Sequence, residues 1–491
     1  MYFKQKSNVI FRDYGSFGYI TDNRNFGYRQ ANDDGHDIGD KIVSQSGAVF
    51  LSALGREAQT LDNLAIKIGK QFTDVNIDVI EADAQAFYSL LESDGFVVSG
   101  DTLQECNEKD FAFSYQTVAP KSEGSNCLCN ENIQKSTQDF FDEYFHNEPQ
   151  LTHLHIEITS KCNERCIHCY IPHENKVHSM DSNLFYNIID QCKNMNLLHL
   201  TLTGGEPMMH GDFIDFLRKC NEYNFSVNVL SNLTLLNDAI IEEMKRNPLL
   251  SIQVSLYSMD ANIHDAITQV KGSCEATKSA IMKLVENNIP VQISCPIVKQ
   301  NLHSYMDVID WGKARNINVG SDYVIIARYD HTTQNLDNRL TLNDVEQIAT
   351  QRIKNEPQYL NQIKKEAKEK ESMKPDDYVC SVCHSSICVS ENGDAYPCAG
   401  WQDYILGNLN ETSLCDIWKN SEKVKYLRNL RRRDFPKCIQ CPDNKFCTMC
   451  MVRNANEHPL GDPLAVNEYF CNIAKLNRNL VLHQEDNILI S

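Results

Sequence analysis

The stretch His153–Tyr170, HLHIEITSKCNERCIHCY, is a strand pattern that runs directly into three cysteines, Cys162, Cys166 and Cys169. A second strand pattern, LHLTLTGGEP, follows at 198–207. Between and beyond them the chain alternates: a helix from Asn183, one from Asp212, then FSVNVLS at 225–231 and a helix from Asn237. LSIQVSLY at 250–257, a helix from Cys274, VQISCPIV at 291–298, a helix from Ser304 and INVGSDYVII at 317–326 complete the series. Six strand-helix repeats predict an α/β fold with a parallel sheet curled into a partial (β/α)6, TIM-like barrel. Its chemistry belongs at the carboxyl ends of the strands.

Both motifs lie at that end. Three thiolates in C-x3-C-x2-C are an incomplete ligand set. In a [4Fe-4S] cluster they hold three irons and leave the fourth open to a small molecule; zinc would instead complete a tetrahedron with His168 or His173. The second strand ends in Gly204, Gly205, Glu206 and Pro207, where glycine permits close approach of a ligand and a carboxylate can receive an ammonium group.

The rest of the chain sets the context. With 66 acidic and 47 basic residues the net charge is −19, which repels phosphate backbones and anionic lipid. No run approaches the ~18 apolar residues of a membrane span, and the opening MYFKQKSNVIFRDYG lacks a signal-peptide core. We therefore expect no nucleic acid partner, no membrane partner and a cytoplasmic location. Twenty cysteines in a reducing compartment read as metal or redox chemistry and not as disulfides.

Residues 1–100 show strand-like pieces NVIFRDY, SFGYITD and NFGYRQ, then helices near Gln45–Leu54, Leu61–Phe72 and around Ile80, Ala84, Phe87 and Leu91. This resembles a winged helix-turn-helix. Nine basic against fourteen acidic side chains disfavour DNA and leave peptide binding open. Residues 101–150 read as a polar connector with a helix at Thr137–Phe145; its paired Cys127 and Cys129 are too isolated to form a site. The segment 331–377, with its charged run KKEAKEKE, reads as a solvated helical bridge. A cysteine-dense region, 378–475, and a short tail, 476–491, close the chain.

That region contains Cys383, Gly393, Cys398, Cys438, Cys441, Cys447, Cys450 and Cys471. Only five residues separate Cys441 from Cys447, against ~15–20 between the pairs of a zinc ribbon, so simple ribbon pairing is disfavoured. Cys192, Cys220, Cys274, Cys295 and Cys415 stand singly in helix or strand patterns and read as small buried hydrophobes.

On the C-x3-C-x2-C loop and GGEP, residues 151–330 resemble the radical S-adenosylmethionine enzymes. That resemblance implies that the unique iron is chelated by the amino and carboxylate groups of S-adenosylmethionine, that GGEP receives the ammonium, and that one-electron cleavage yields a 5′-deoxyadenosyl radical. It also implies cofactor contacts from Tyr170 beside the adenine, Ser231 and Asn232 after the third strand, Ser255 after the fourth and Val298 after the fifth. C-x9-G-x4-C followed by C-x2-C-x5-C-x2-C and a distant cysteine resembles the SPASM domain, which holds two auxiliary [4Fe-4S] clusters; Cys447 and Cys450 are separated by two residues where the best-known pattern has three. By this resemblance Cys438, Cys441, Cys447 and Cys471 hold the outer cluster and Cys383, Cys398 and Cys450 the inner one. Its fourth ligand is expected from Cys380, with Cys388 or an open substrate site as alternatives. Sulfatase-maturing relatives carry Asp after the cysteine equivalent to Cys398, whereas this chain has Ala399, which argues against serine or cysteine oxidation.

The order of winged helix, radical barrel and SPASM region resembles the maturases of ribosomally made peptides. It implies a precursor peptide gripped by its leader at the sheet of residues 7–30 and near Phe87 and Leu91, and a reductant such as flavodoxin or ferredoxin. Cysteine-derived thioether cross-linking is the expected reaction, with carbon–carbon cross-linking or epimerisation as competitors and a non-catalytic iron–sulfur scaffold as a remote one. Anaerobically reconstituted protein should then hold three [4Fe-4S] clusters, about 12 irons per chain. Iron and acid-labile sulfide assays check this, and stoichiometric zinc would refute it.

Overall fold

The computed structural model of the protein describes residues 1–22, 39–110, 144–145, 148–355 and 357–489. Six strands form the expected parallel series: β7 (His153–Thr159), β8 (His199–Gly204), β9 (Ser226–Ser231), β10 (Leu250–Ser255), β11 (Val291–Ser294) and β12 (Asn318–Gly320). They are hydrogen-bonded in the order β12-β11-β10-β9-β8-β7. Helices Ser182–Asn194, Phe213–Glu222, Asp238–Lys245, Ser273–Glu286 and Tyr305–Lys313 fall within a residue of the expected starts. A further helix, Ala261–Thr268, was not anticipated. Alternation along β7 explains the layering: Leu154, Ile156 and Ile158 join the apolar core shared with Phe185, Phe216 and Ile188. Phe185 and Phe216 stack at 3.7 Å between centroids and clamp the first two helices together.

The sheet does not stop at β7. β13 (Ser386–Val389) pairs with it in parallel, Ser386 opposite His153 and Val389 opposite Ile156, and β14 (Asp394–Tyr396) and β15 (Gly407–Asn408) continue antiparallel. One nine-stranded sheet thus runs from the barrel into the cysteine-rich region. The charged bridge is helical over Leu342–Asn355 and Pro357–Glu371.

In the N-terminal region, β2 (Ile10–Asp13), β3 (Phe17–Thr21) and β4 (Asp40–Ser44) form one sheet, and β5 (Gln59–Thr60), β1 (Tyr2–Gln5) and β6 (Val97–Gly100) another. Helices Gln45–Leu54, Leu61–Gly69 and Ile77–Ser93 match the periodicity read from the sequence. NFGYRQ lies outside the described residues, and the third strand is β4. Within the segment read as a connector, helix Leu103–Glu108 buries Cys106, and Asp110 pairs with Lys4 at 2.8 Å. β6, an edge strand, packs along the third helix, and β4, an edge of the other sheet, is tied to that helix's end by the ion pair of Lys41 with Asp94; Leu91 is core, whereas its neighbour Leu90 is exposed. Cys127, Cys129 and most of Thr137–Phe145 lie outside the described residues.

This domain sits against the amino ends of the barrel strands. Buried Arg12 donates to the carbonyls of Leu197 (2.7 Å) and Asn224 (2.9 Å), and Ile10 and Tyr19 pack on Leu198 and Leu249. Among the described residues no helix is long and apolar enough to cross a membrane.

Gly204 fixes how β8 meets β7. At φ +136°, an added Cβ would lie 1.8 Å from the Thr159 carbonyl oxygen, and one on Gly205 2.3 Å from that of Lys161. These glycines serve the close approach of backbone to backbone, as well as any ligand. Gly204→Ala should therefore cost more than about 3 kcal/mol of stability. Denaturant melts check this against Gly211→Ala, whose Cβ meets nothing within 4 Å and should be near neutral.

Candidate active site

Past the end of β7, backbone bonds tie the cysteine loop to its surroundings. Gly205 N–H donates to Thr159 O and Glu206 N–H to Lys161 O, each at 2.8 Å, while Arg165 and Ile167 N–H donate to Thr268 O and Ile267 O, each at 3.0 Å. The loop surrounds a cavity of about 440 Å³ at the carboxyl ends of the strands. Cys162, Cys166 and Cys169 line it together with Tyr170, Gly204, Gly205, Ser231, Asn232 and Ser255. Seven strands and loops distant in sequence converge here.

Three expected residues stand behind that wall. Glu206 is 0% exposed. Its Oε1 accepts from Met208 N–H (3.0 Å) and Ser231 Oγ (2.8 Å), and its Oε2 from Asn232 N–H (2.8 Å). The carboxylate is thus a strut between two strand ends. Pro207 is buried and starts the turn Pro207–Met209. Val298 is core, packed with Tyr257, Ile267 and Ile325; Pro296 and Ile325 face the cavity where Val298 was expected.

Sequence reading also passed over wall residues. Tyr257 lies two positions beyond Ser255 on the same face of the chain, a signal that alternation carried; its hydroxyl stands 4.0 Å from Cys166 Sγ and its ring meets His168 edge-on at 5.1 Å. Glu164, inside the cysteine loop, was visible but unassigned. Lys176 had no signal: it is 6% exposed, and although burial opposes its charge, Cys169, Cys162 and Cys166 raise its pKa overall. Ala399 lines the same wall, where the sulfatase-maturing pattern would place Asp. His168 and His173 are both pushed down to about 4, chiefly by burial, and only His168 reaches the cavity.

The remaining cysteines gather electrostatically into two groups. Burial pushes Cys383 and Cys398 up to about 12; Arg428 opposes the shift at Cys383 while Cys380 and Cys398 add to it, and Cys450 and Cys380 add to it at Cys398. Cys438, Cys447 and Cys471 are raised by burial and by one another and Cys441. Cys388, on β13, is buried and raised by burial before Cys398, Glu157 and Cys383. Cys192, Cys220, Cys274 and Cys295 are buried as expected, and Cys415 is half-buried. Three thiols lining one cavity are the incomplete donor set that would hold three irons of a [4Fe-4S] cluster.

Comparison with known proteins agrees with this geometry. Residues 156–312 match the sequence model of the Radical SAM superfamily, and residues 380–442 that of SPASM, an iron-sulfur cluster-binding domain. The AdoMet-dependent heme synthase of Nitratidesulfovibrio vulgaris is 25% identical over 343 residues, 63% of this chain and 90% of its own. The antilisterial bacteriocin subtilosin biosynthesis protein AlbA of Bacillus subtilis is 25% identical over 324 residues, 63% of this chain and 69% of its own. Among solved structures, Streptococcus suis SuiB bound to precursor peptide SuiA superposes with TM-score 0.60 at 14% identity, covering 96% of this chain and 99% of that one. The last likeness is one of fold. The chain thus combines a segment matching the Radical SAM model and one matching the SPASM model in an α/β fold with a mostly parallel central sheet.

Burial also pushes Glu157, on β7, up to about 7 from an ordinary 4.5; Tyr396 and Gln402, the latter donating at 2.9 Å, oppose the shift and Glu391 adds to it. Because the folded value exceeds the unfolded one, this group's contribution to stability is fully present below about pH 4.5 and is lost as pH rises towards 7. Glu157→Gln should therefore gain in melting temperature relative to wild type across that window. Thermal melts at three pH values of cluster-free, reduced protein check the sign, and a constant difference would refute it.

Proposed function

We propose that this chain is a radical S-adenosylmethionine maturase of a ribosomally made peptide, and that it forms thioether links from cysteine. The observation that carries the peptide reading is the N-terminal domain. Heme synthase, nine-tenths of which is spanned, accounts for 63% of this chain, whereas the fold of SuiB, solved with a precursor peptide, extends over 96%. The domain offers a strand edge, β4, beside a helix whose outer face carries exposed Val79 and Leu90 and half-buried Phe87. An extended leader can add to such an edge through main-chain hydrogen bonds and set alternate side chains against the helix.

The residues divide the work. Cys162, Cys166 and Cys169 hold the first cluster; Cys438, Cys441, Cys447 and Cys471 the outer auxiliary cluster; and Cys383, Cys398, Cys450 and Cys380 the inner one. When bound, S-adenosylmethionine and its cluster supply hydrogen-atom abstraction from the substrate. Gly204 and Gly205 shape the cavity beside the cysteine loop. Ser231, Asn232 and Ser255 offer hydrogen bonds, and Tyr170 offers an aromatic face. The cavity's apolar side, Pro296 with Val324, Ile325 and Ile326, keeps water from the reacting carbon. Carbon–carbon cross-linking uses the same parts and differs in the atom that captures the substrate carbon.

The test uses the peptide encoded by a short reading frame beside the gene, co-expressed with the enzyme. Mass spectrometry should show the loss of two hydrogen atoms per link, with the cysteine refractory to alkylation. Leu90→Asp, an exposed change, should weaken leader binding about tenfold or more and reduce modification in parallel. Proline within the docked leader segment should do the same by removing a donor. Deuterium gain in heavy water without mass loss would instead mark epimerisation, and equal modification by Leu90→Asp would refute docking at this face.

A further inference from the structure

Residues 419–437, KNSEKVKYLRNLRRRDFPK, hold eight cations and two carboxylates in a chain whose net charge is −19. They run through the helices Leu414–Asn420, Glu422–Asn429 and Pro436–Ile439 of the cysteine-rich region, and Lys419, Lys423, Lys425, Arg433 and Lys437 are exposed.

Most of this charge is left unanswered within the protein. Among the described residues a carboxylate lies within 4.0 Å only of Lys425, paired with Glu422, and of Arg433, paired with Asp376. Four of the others are held by neutral groups. Lys423 donates to the Ile405 carbonyl at 2.8 Å, Arg428 lies over the Trp418 ring and Arg431 over the Tyr378 ring, each at 4.0 Å, and Arg432 meets the Met373 sulfur at 3.2 Å. Carbonyls and rings orient a cation without cancelling its net charge, so a positive field stands over this face. Exposed Ile405 and Tyr426, the first in contact with Lys423 and the second one helical turn after it, add a small apolar centre.

The same segment reaches both groups of cysteines in this region. Arg428 donates to the carbonyl of Cys383 at 2.5 Å, and the helix Pro436–Ile439 carries Cys438. A long polyanion laid on this face would extend over the acidic remainder of the chain and be repelled there, whereas a compact acidic protein brings its charge to the patch alone.

We infer that this face docks an acidic, low-potential electron-carrier protein, which gives up one electron to the enzyme and leaves oxidised. This rests on the reading of the cysteine groups as cluster sites, because reductive cleavage of S-adenosylmethionine takes an electron from outside. Redox encounters bury little surface, so a few exposed cations around two apolar side chains suffice, and charge steers the approach.

Two acidic carriers, flavodoxin and a plant-type ferredoxin, serve as probes. Each is titrated in its oxidised form, calorimetrically, into the anaerobically reconstituted full-length enzyme at low and at high salt; each is then reduced and mixed with oxidised enzyme in a stopped-flow spectrometer. Lys419→Glu with Lys423→Glu should weaken binding about tenfold or more at low salt and slow reduction by the carrier in parallel, while iron content and reduction by dithionite stay as in wild type. High salt should erase the difference in binding. Lys354→Glu with Lys365→Glu, the same change of charge on the bridge helices, should behave as wild type. Absence of binding of either carrier to wild type, equal binding by the first variant, an equal loss in the second, or a loss that persists in high salt would each overturn the assignment. Loss of a single-stranded RNA oligonucleotide in the first variant, with carrier binding intact, would make this a nucleic-acid site instead. Should Lys423→Glu lower the iron content, Lys419→Glu with Lys425→Glu decides by the same comparison. A wild-type enzyme that takes up no iron would refute the cluster reading itself, and with it this assignment, an outcome distinct from every one above.

Discussion

A single carboxylate, that of Glu206, joins the ends of two barrel strands, and the cavity depends on it. It sits at the turn after β8 and accepts from the backbone and side chains at the end of β9. Asn232, held there, passes the constraint on: its amide donates to Asn163 Oδ1 at 2.9 Å, next to Cys162, and its carbonyl accepts from Thr277 at 2.9 Å. The glycines before it let β7 and β8 close to backbone contact. The cysteine loop therefore leaves the sheet along one path. A buried carboxylate is affordable in this position because three donors surround it, although burial still pushes its pKa up to about 7.

The second constraint is the shared sheet. Because β13 extends the barrel at β7, the cysteine-rich region is registered against the strand that leads into the cysteine loop. Side chains reinforce the join. Gln402 reaches Glu157, Asn456 donates to the carbonyls of Ala327 (3.1 Å) and Gly400 (2.6 Å), and Arg339 forms a buried ion pair with Glu457 while lying over the ring of Tyr469. Gly400 brings the chain after Cys398 against Ile326 and Tyr170, both on the cavity wall. Burial, then Glu157 and the thiols of Cys169, Cys388 and Cys398, raises the Tyr170 hydroxyl well above its ordinary value, so thiols of both cysteine systems act on this one side chain.

The N-terminal domain meets the opposite end of the strands. Arg12 holds it to the loops that precede β8 and β9, whereas the cavity opens where those strands end. A six-residue strand spans about 20 Å, so under the proposed function a peptide gripped by this domain must traverse the barrel before its reactive residue arrives. Under that proposal, a separate grip and a separate reaction chamber would let one leader deliver several positions in turn.

Much of this was legible in the one-dimensional pattern. Period-two runs ending in Cys162 and in Gly204 located the strands, their alternation with helices dictated a parallel sheet, and the direction of that sheet put both motifs at one end. The cysteine spacings told a three-thiol loop from a multi-thiol region, because ligand geometry constrains spacing directly. Local pattern was silent wherever a contact joins distant segments. It could not show that β13 would pair with β7 across more than two hundred residues, or that Lys41 on β4 would reach Asp94 at the end of the third helix. Nor could it tell that Glu206 would spend its oxygens inside the protein while Glu164 kept one free, since both are equally acidic on paper. Motif and period are local, whereas which buried charge finds a partner is settled only when the chain has closed around it.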